Sequence, residues 1–201
     1  MMLKRAFDVL VSGIALVLFA PILLAIGFAI KLDSRGPAFF RQERVGQFDR
    51  PFRIHKFRTM AVDAHARGPE LTVGDDARIT RVGGFLRRHK LDELPQLIDV
   101  LMGNMSIVGP RPEVPRYVAL YSADDRNLIL SVRPGITDRA SVEFKDESAV
   151  LGAAPDPEAT YCTDILPRKL AYYRAYVRER SFVGDIKVIF ATLKALLRRD
   201  N

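Results

Sequence analysis

Residues 9–30, VLVSGIALVLFAPILLAIGFAI, carry no charged side chain, and no other stretch limits the fold as strongly. Twenty-two residues of helix reach roughly 33 Å, about the thickness of a bilayer's hydrocarbon core. Fourteen of them are Val, Leu, Ile or Phe, together worth about −4 to −8 kcal/mol of insertion free energy. A cleaved signal peptide ends in small residues, whereas KLDSRGP follows this run, so the segment is expected to stay on the chain. Pro21 lies near its centre and costs an uninterrupted helix about 3 kcal/mol. Both flanks are basic, with Lys4 and Arg5 before and Lys31, Arg35, Arg41 and Arg44 after. Basic flanks favour the cytoplasmic side. A segment that enters the membrane, breaks at Ala20–Pro21 and returns satisfies both features. A kinked helix that spans is also physically sound, and the residues alone leave the two open.

The rest of the chain is a candidate for one folded domain on length, at 201 residues in all and 48% hydrophobic. Lys and Arg outnumber Asp and Glu, 31 to 24, for a net charge of +7. Such a balance suits an anionic partner: nucleic acid, anionic lipid or a phosphorylated substrate. The single cysteine, Cys162, excludes an intrachain disulfide. The three histidines are scattered, and no Cys/His cluster has zinc spacing.

Beyond Gly36-Pro37 the pattern alternates between short elements and loops. In PFRIHKF, Phe52 and Ile54 alternate with Arg53 and His55, a strand signal. Residues 62–78 read as a polar loop, and 80–90 as a short basic helix or turn. Residues 94–102 place Leu94, Leu97, Ile98, Leu101 and Met102 on one helical face. Pro95 fits only the first turn of that helix, and Gly103 ends it. SIVGPRPEVP is too rich in proline for a regular element, and VRPGITDRA reads as a loop. A basic amphipathic helix over 164–180 begins near Pro167. A last one follows, in which Val183, Ile186, Ile189, Phe190, Leu193 and Leu197 recur at helical spacing. The latter suits core packing or a membrane interface.

The acidic pair in HKLDELPQL, Asp92 and Glu93, falls at a helix start. An N-cap worth about 1 kcal/mol is the plain account of Asp92. Its surroundings are unusual for a mere cap. Lys56 and Arg58 lie in HKFRTM, Arg87 and Arg88 precede the pair, Arg111 stands between two prolines, and Arg133 opens RPGIT. Arginines in rigid loops beside carboxylates make a candidate phosphate site. One carboxylate can attack phosphorus to give an acyl phosphate, and a second can hold Mg²⁺.

FFRQERVGQFDRPFRIHKFRTM, DDARITRVGGFLRRHKLDELPQLIDVLMGNMSIVGPRPE and VRPGIT, in that order, resemble the bacterial sugar transferase family, the monotopic phosphoglycosyl transferases in their minimal catalytic form. The resemblance implies transfer of a sugar 1-phosphate from a UDP-sugar to polyprenol (undecaprenyl) phosphate, with UMP released. The reaction would be Mg²⁺-dependent and pass through a phosphosugar–enzyme intermediate. Asp92 would be the nucleophile, and Glu93 its partner in placing Mg²⁺. Lys56, Arg58, Arg87, Arg111 and Arg133 would be the phosphate-binding set. The implied fold is mixed α/β and helix-rich. Residues 1–31 would form a re-entrant membrane hairpin broken at Ala20–Pro21, and residues 32–201 a catalytic domain with interfacial amphipathic helices. That domain would sit on the cytoplasmic face of the bacterial inner membrane. Phospholipid is an expected partner, nucleic acid is not, and a homo-oligomer is compatible with the sequence.

Two departures from the family pattern stand out. Ala20 replaces the serine frequent before the membrane proline, and PGIT continues as DRASVEFKDE. Glu143, Asp146 and Glu147 in that continuation are either specificity residues or a solvated acidic run. Two other functions fit parts of the sequence. A Mg²⁺-dependent nucleotide-sugar hydrolase would use the same pair but needs no membrane anchor. A membrane-tethered basic module for anionic lipid or nucleic acid would suit the charge but leaves DELPQ and GPRP without a purpose.

Overall fold

The computed structural model describes residues 2–62, 64, 76–144 and 147–197. Most of the polar loop expected at 62–78, together with Asp146, lies outside the described residues. Helix α1 (Met2–Asp33) contains the whole apolar run. Among the described residues it is the one helix long and apolar enough to cross a membrane, and little of it is buried. The expected interruption at Ala20–Pro21 is not an interruption of helix: α1 continues through Pro21. Proline removes one N–H and crowds the carbonyl four residues back, but the ladder on either side keeps its own bonds.

Both ends of α1 are fixed to the rest of the protein. In its first two turns, Lys4 donates to Asp185 Oδ2 at 2.5 Å, Arg5 donates to the Val100 carbonyl at 2.6 Å, and Asp8 Oδ2 accepts from Ser106 Oγ at 2.8 Å. At its C-terminal end Ile30 is buried with Phe57 and Leu86, and Leu23 and Ile26 pack against that cluster. Between these ends Val17, Leu18, Leu24 and Phe28 are exposed.

Strands β1 (Phe39–Val45) and β2 (Pro51–Phe57) form an antiparallel hairpin in the register Phe39↔Phe57 to Val45↔Pro51. Helix α2 (Arg81–Arg88) is N-capped by Thr80, whose side chain accepts from the Gly83 N–H. Helix α3 (Gln96–Met102) ends at Gly103, which takes φ 87°, as the sequence predicts. Its buried face is not simply its apolar stripe. Gln96, Asp99 and Val100 point inward, while Leu101 and Met102 of the apolar stripe are exposed.

The two proline-rich segments read as loops contain strands. β3 (Ser106–Val108) and β4 (Gly135–Thr137) pair in parallel. A three-residue strand is too short for periodicity to reveal, and glycine permits the close approach. A Cβ on Gly135 would collide with the Gly109 backbone.

Between and after them lie α4 (Pro115–Val118), α5 (Ala123–Ile129), α6 (Arg139–Glu143), α7 (Glu147–Ala153) and α8 (Pro157–Thr160). A π-turn at Tyr161–Ile165 leads into α9 (Leu166–Glu179), followed by α10 (Phe182–Leu197). The largest core cluster joins α4, α5, α7 and α9 through Val114, Ile129, Leu151, Leu170 and Tyr173. A smaller one joins β2 and α3 through Ile54, Val100 and Met105.

Candidate active site

Asp92 and Glu93 occupy a single 3-10 turn, Leu91–Glu93, between α2 and α3. Lys90 leads into it in a left-handed conformation, φ 56°, which costs a residue with a Cβ. Pro95 then precedes α3, so the acidic pair belongs to neither regular helix.

Glu93 is gripped by two cations from separate elements. Its Oε1 accepts from Lys56 Nζ on β2 at 2.8 Å and also from Arg111 Nη2, while Oε2 accepts from Arg111 Nη1 at 3.0 Å. This fork matches the bidentate geometry of guanidinium and carboxylate. Burial alone would raise the Glu93 carboxyl, but Arg111 and Lys56 overcome it and hold Glu93 well below the ordinary carboxylate range. Glu93 in turn raises Arg111, against the effect of burial. Burial lowers the Lys56 ammonium, partly offset by Glu93.

Asp92 has the opposite environment. It is only 8% exposed, and its buried Oδ1 has no hydrogen-bond partner. Burial pushes its carboxyl above the ordinary 3.8; Lys56 opposes this and Glu93 reinforces it. Two neighbouring carboxyls driven apart in this way can take different chemical roles.

Arg87 completes the cluster. Its Nε donates to Thr59 Oγ1 at 2.8 Å, and its charge acts on Asp92. The Arg111 backbone N–H donates to Asp138 Oδ2 at 3.0 Å, and Arg44 Nη1 donates to the Pro112 carbonyl at 3.0 Å. The GPRP loop is therefore held on both sides of Arg111.

Lys56, Arg87, Asp92, Glu93 and Arg111 thus come together, whereas two expected members do not. Arg58 is buried and turned toward the end of α1, donating to the carbonyls of Arg35 at 2.5 Å and Ser34 at 2.8 Å. Those carbonyls have no helical partner, so Arg58 closes the helix. Arg133 donates through Nε to the Gly103 carbonyl at 2.8 Å, past the end of α3. Sequence reasoning missed Asp138, whose only signal was its place as an N-cap before α6. It also missed Asp99, a charged residue set among apolar ones.

A cavity of about 400 Å³ opens beside Glu93, lined also by Arg111, Leu94, Tyr173, Glu147 and Thr192 among others. Glu147 pairs with Lys169 at 2.6 Å, and Glu143 is exposed. For a divalent ion the pair offers the unpartnered Asp92 Oδ1 and the second lone pair of Glu93 Oε2, which takes one bond from Arg111. Among the described residues no three His, Cys, Asp or Glu side chains gather as a cage. That donor set fits Mg²⁺, which needs only one or two protein carboxylates when substrate phosphates supply other oxygens.

A family model described as bacterial sugar transferase matches residues 1–199. The chain is 37% identical over 197 residues to an Aeromonas hydrophila UDP-N-acetylgalactosamine-undecaprenyl-phosphate N-acetylgalactosaminephosphotransferase, covering 97% of this chain and 44% of the relative. It is 37% identical over 195 residues to the Escherichia coli UDP-glucose:undecaprenyl-phosphate glucose-1-phosphate transferase, covering 96% of this chain and 39% of that protein. It thus spans less than half of these two relatives' length. A third relative, the Rhizobium leguminosarum exopolysaccharide production protein PSS, is 38% identical over 205 residues, with 99% of this chain and 97% of the relative covered.

Proposed function

The chain belongs to the bacterial sugar transferase family, and on that premise we propose that it transfers a sugar 1-phosphate from a UDP-sugar to a polyprenol phosphate, releasing UMP. The observation that carries this reading is the asymmetry of the pair. Glu93 is charge-compensated by Lys56 and Arg111, while Asp92 keeps a buried, unpartnered oxygen beside them.

In the first half-reaction an Asp92 carboxylate oxygen attacks the phosphorus that bears the sugar. The bond from that phosphorus to the bridging oxygen breaks, and the oxygen leaves with UMP. An acyl phosphate links Asp92 to the sugar phosphate. In the second half-reaction a phosphate oxygen of the polyprenol phosphate attacks the same phosphorus and displaces the Asp92 carboxylate. The product is a polyprenol diphosphate sugar. Raised basicity makes Asp92 a better nucleophile once ionised. Arg111, Lys56 and Arg87, gathered around the pair, supply positive charge to offset what develops on the phosphoryl group, in a site largely shielded from water. Mg²⁺ held by Asp92, Glu93 and the diphosphate would neutralise the leaving group. Arg58 and Arg133 have structural partners and are given no phosphate role.

The membrane seat follows from α1. A straight helix of 32 residues is about 48 Å long, yet both of its ends are bonded to one folded body. Those bonds support a segment that starts and finishes on the same side of the bilayer, the basic flanks marking it as the cytoplasmic side. We therefore assign residues 1–31 to the membrane segment and 32–201 to the catalytic unit. The exposed Val183, Phe190 and Leu193 of α10 suit an interfacial face.

The decisive assay supplies the nanodisc-held protein with Mg²⁺ and UDP-sugars, with and without undecaprenyl phosphate. UMP release that requires both one UDP-sugar and the lipid supports the proposal. Sustained UMP release without lipid would replace it with a hydrolase. No release from any donor, combined with retained binding to anionic vesicles, would replace it with a tethering module.

A further inference from the structure

We propose that Asp99 is a positioning residue: through His55 it sets the separation of Lys56 and Glu93. The inference rests on the roles given above to Lys56 and Glu93. Asp99 is fully buried and directs both carboxylate oxygens at one residue. Oδ2 accepts from the His55 backbone N–H at 2.8 Å, and Oδ1 lies 2.8 Å from His55 Nδ1, the ring donating. The next residue along β2 is Lys56, whose ammonium reaches Glu93 at 2.8 Å.

The other end of this link is equally constrained. The Asp99 carbonyl accepts from the N–H groups of Asn104 and Met105, at 3.0 and 3.1 Å, which seats Asp99 at the close of α3. Helix α3 itself starts just beyond Glu93. One short stretch of chain therefore grips β2 twice, through Glu93 on Lys56 and through Asp99 on His55. Among the described residues β2 has a strand partner only in β1, and Asp99 takes up an amide that points away from it. An apolar side chain would serve a buried position better if packing were the sole demand. The carboxylate fixes the strand's register along α3, and with it the point from which Lys56 reaches the dyad.

The test uses the full chain in nanodiscs with Mg²⁺, undecaprenyl phosphate and either UDP-glucose or UDP-N-acetylgalactosamine. Asp99→Leu fills the position with an apolar side chain but removes both acceptors. Asp99→Asn keeps an acceptor for the amide and can donate to Nδ1 of the alternative imidazole tautomer. Asp99→Leu should lower kcat about 30-fold with donor KM changed less than about threefold, and Asp99→Asn should recover most of that loss. Unfolding temperatures of Lys56→Met, Asp99→Leu and their combination give a readout that needs no turnover. Lys56→Met should shift the midpoint less than half as far in the Asp99→Leu background as in the unaltered chain. Additive shifts, or a folded Asp99→Leu with nearly full kcat, would overturn the proposal. Nearly full activity in Glu93→Gln would instead overturn the reading of the pair itself.

Discussion

Asp92 and Glu93 are one backbone position apart, yet Glu93 meets two cations while Asp92 Oδ1 meets no donor. Stability should therefore respond to their neutralisation in opposite directions. Asp92→Asn should abolish turnover and raise the unfolding temperature by the equivalent of about 1 kcal/mol, because it removes an ionised group kept for chemistry. Glu93→Gln should lower stability by roughly 3 kcal/mol, since Lys56 and Arg111 lose their shared counter-charge. The signs with pH follow. Glu93 titrates lower in the fold than its ordinary 4.5, so its contribution is present above that value and fades as pH falls through the depressed one. Acid titration of unfolding should bring Glu93→Gln and the unaltered protein together at low pH. Asp92 titrates above 3.8 in the fold, so its favourable contribution is present in acid and is lost as pH rises through the raised value. As the proposed nucleophile Asp92 must be ionised, so kcat/KM should fall on the acid side at a pH above 3.8. That carboxylates and an arginine would gather was legible in DELPQ and GPRP. Their opposite titration was not, because it depends on Lys56 and Arg111, far from the pair in sequence.

At the scale of elements, the parallel pair β3–β4 holds the loop that carries Arg111. Its strands come within glycine distance, and the backbone around Gly109 leaves no room for a Cβ on Gly135. Gly135→Ala should cost about 3 kcal/mol by overpacking, read as a fall in unfolding temperature, with activity lost as Arg111 shifts. The sequence reading took both segments as loops, since prolines and glycines mask a three-residue strand. It recognised α9 and the glycine stop of α3, and left α2 as a helix or a turn, because helical spacing and glycine stops are local signals. It put the apolar residues of α3 on one face without saying what covers that face. Periodicity reveals that a stripe is apolar, but not whether protein or lipid covers it. Here Gln96 and Asp99 face inward, and Leu101 and Met102 face out.

Across the whole molecule, α1 acts as a strap fastened at both ends. Lys4, Arg5 and Asp8 fix its start, and Arg58 closes its end on Arg35 and Ser34. Single-cysteine variants Leu3→Cys and Arg35→Cys, in a Cys162→Ser background, should both react with a membrane-impermeant maleimide only when the cytoplasmic face is exposed. Labelling of the two from opposite faces would show α1 to span. Arg58→Met should loosen the strap and lower stability by about 2 kcal/mol, with thermal unfolding the check. It should weaken donor binding no more than that loss of folded protein explains.

The sequence by itself determined that one long apolar segment exists, that its flanks are basic, and which motifs mark the family. Apolarity, charge and short-range spacing are properties of contiguous residues, so they can be read without coordinates. Tertiary structure decided which basic residues reach the carboxylates. Lys56, Arg87 and Arg111 converge on them because a hairpin, a capped helix and a glycine-paired loop meet there. Arg58 and Arg133, equally basic, instead meet backbone carbonyls at the ends of α1 and α3. A guanidinium can serve an anion or an open helix end alike, and only its position in the fold selects between them.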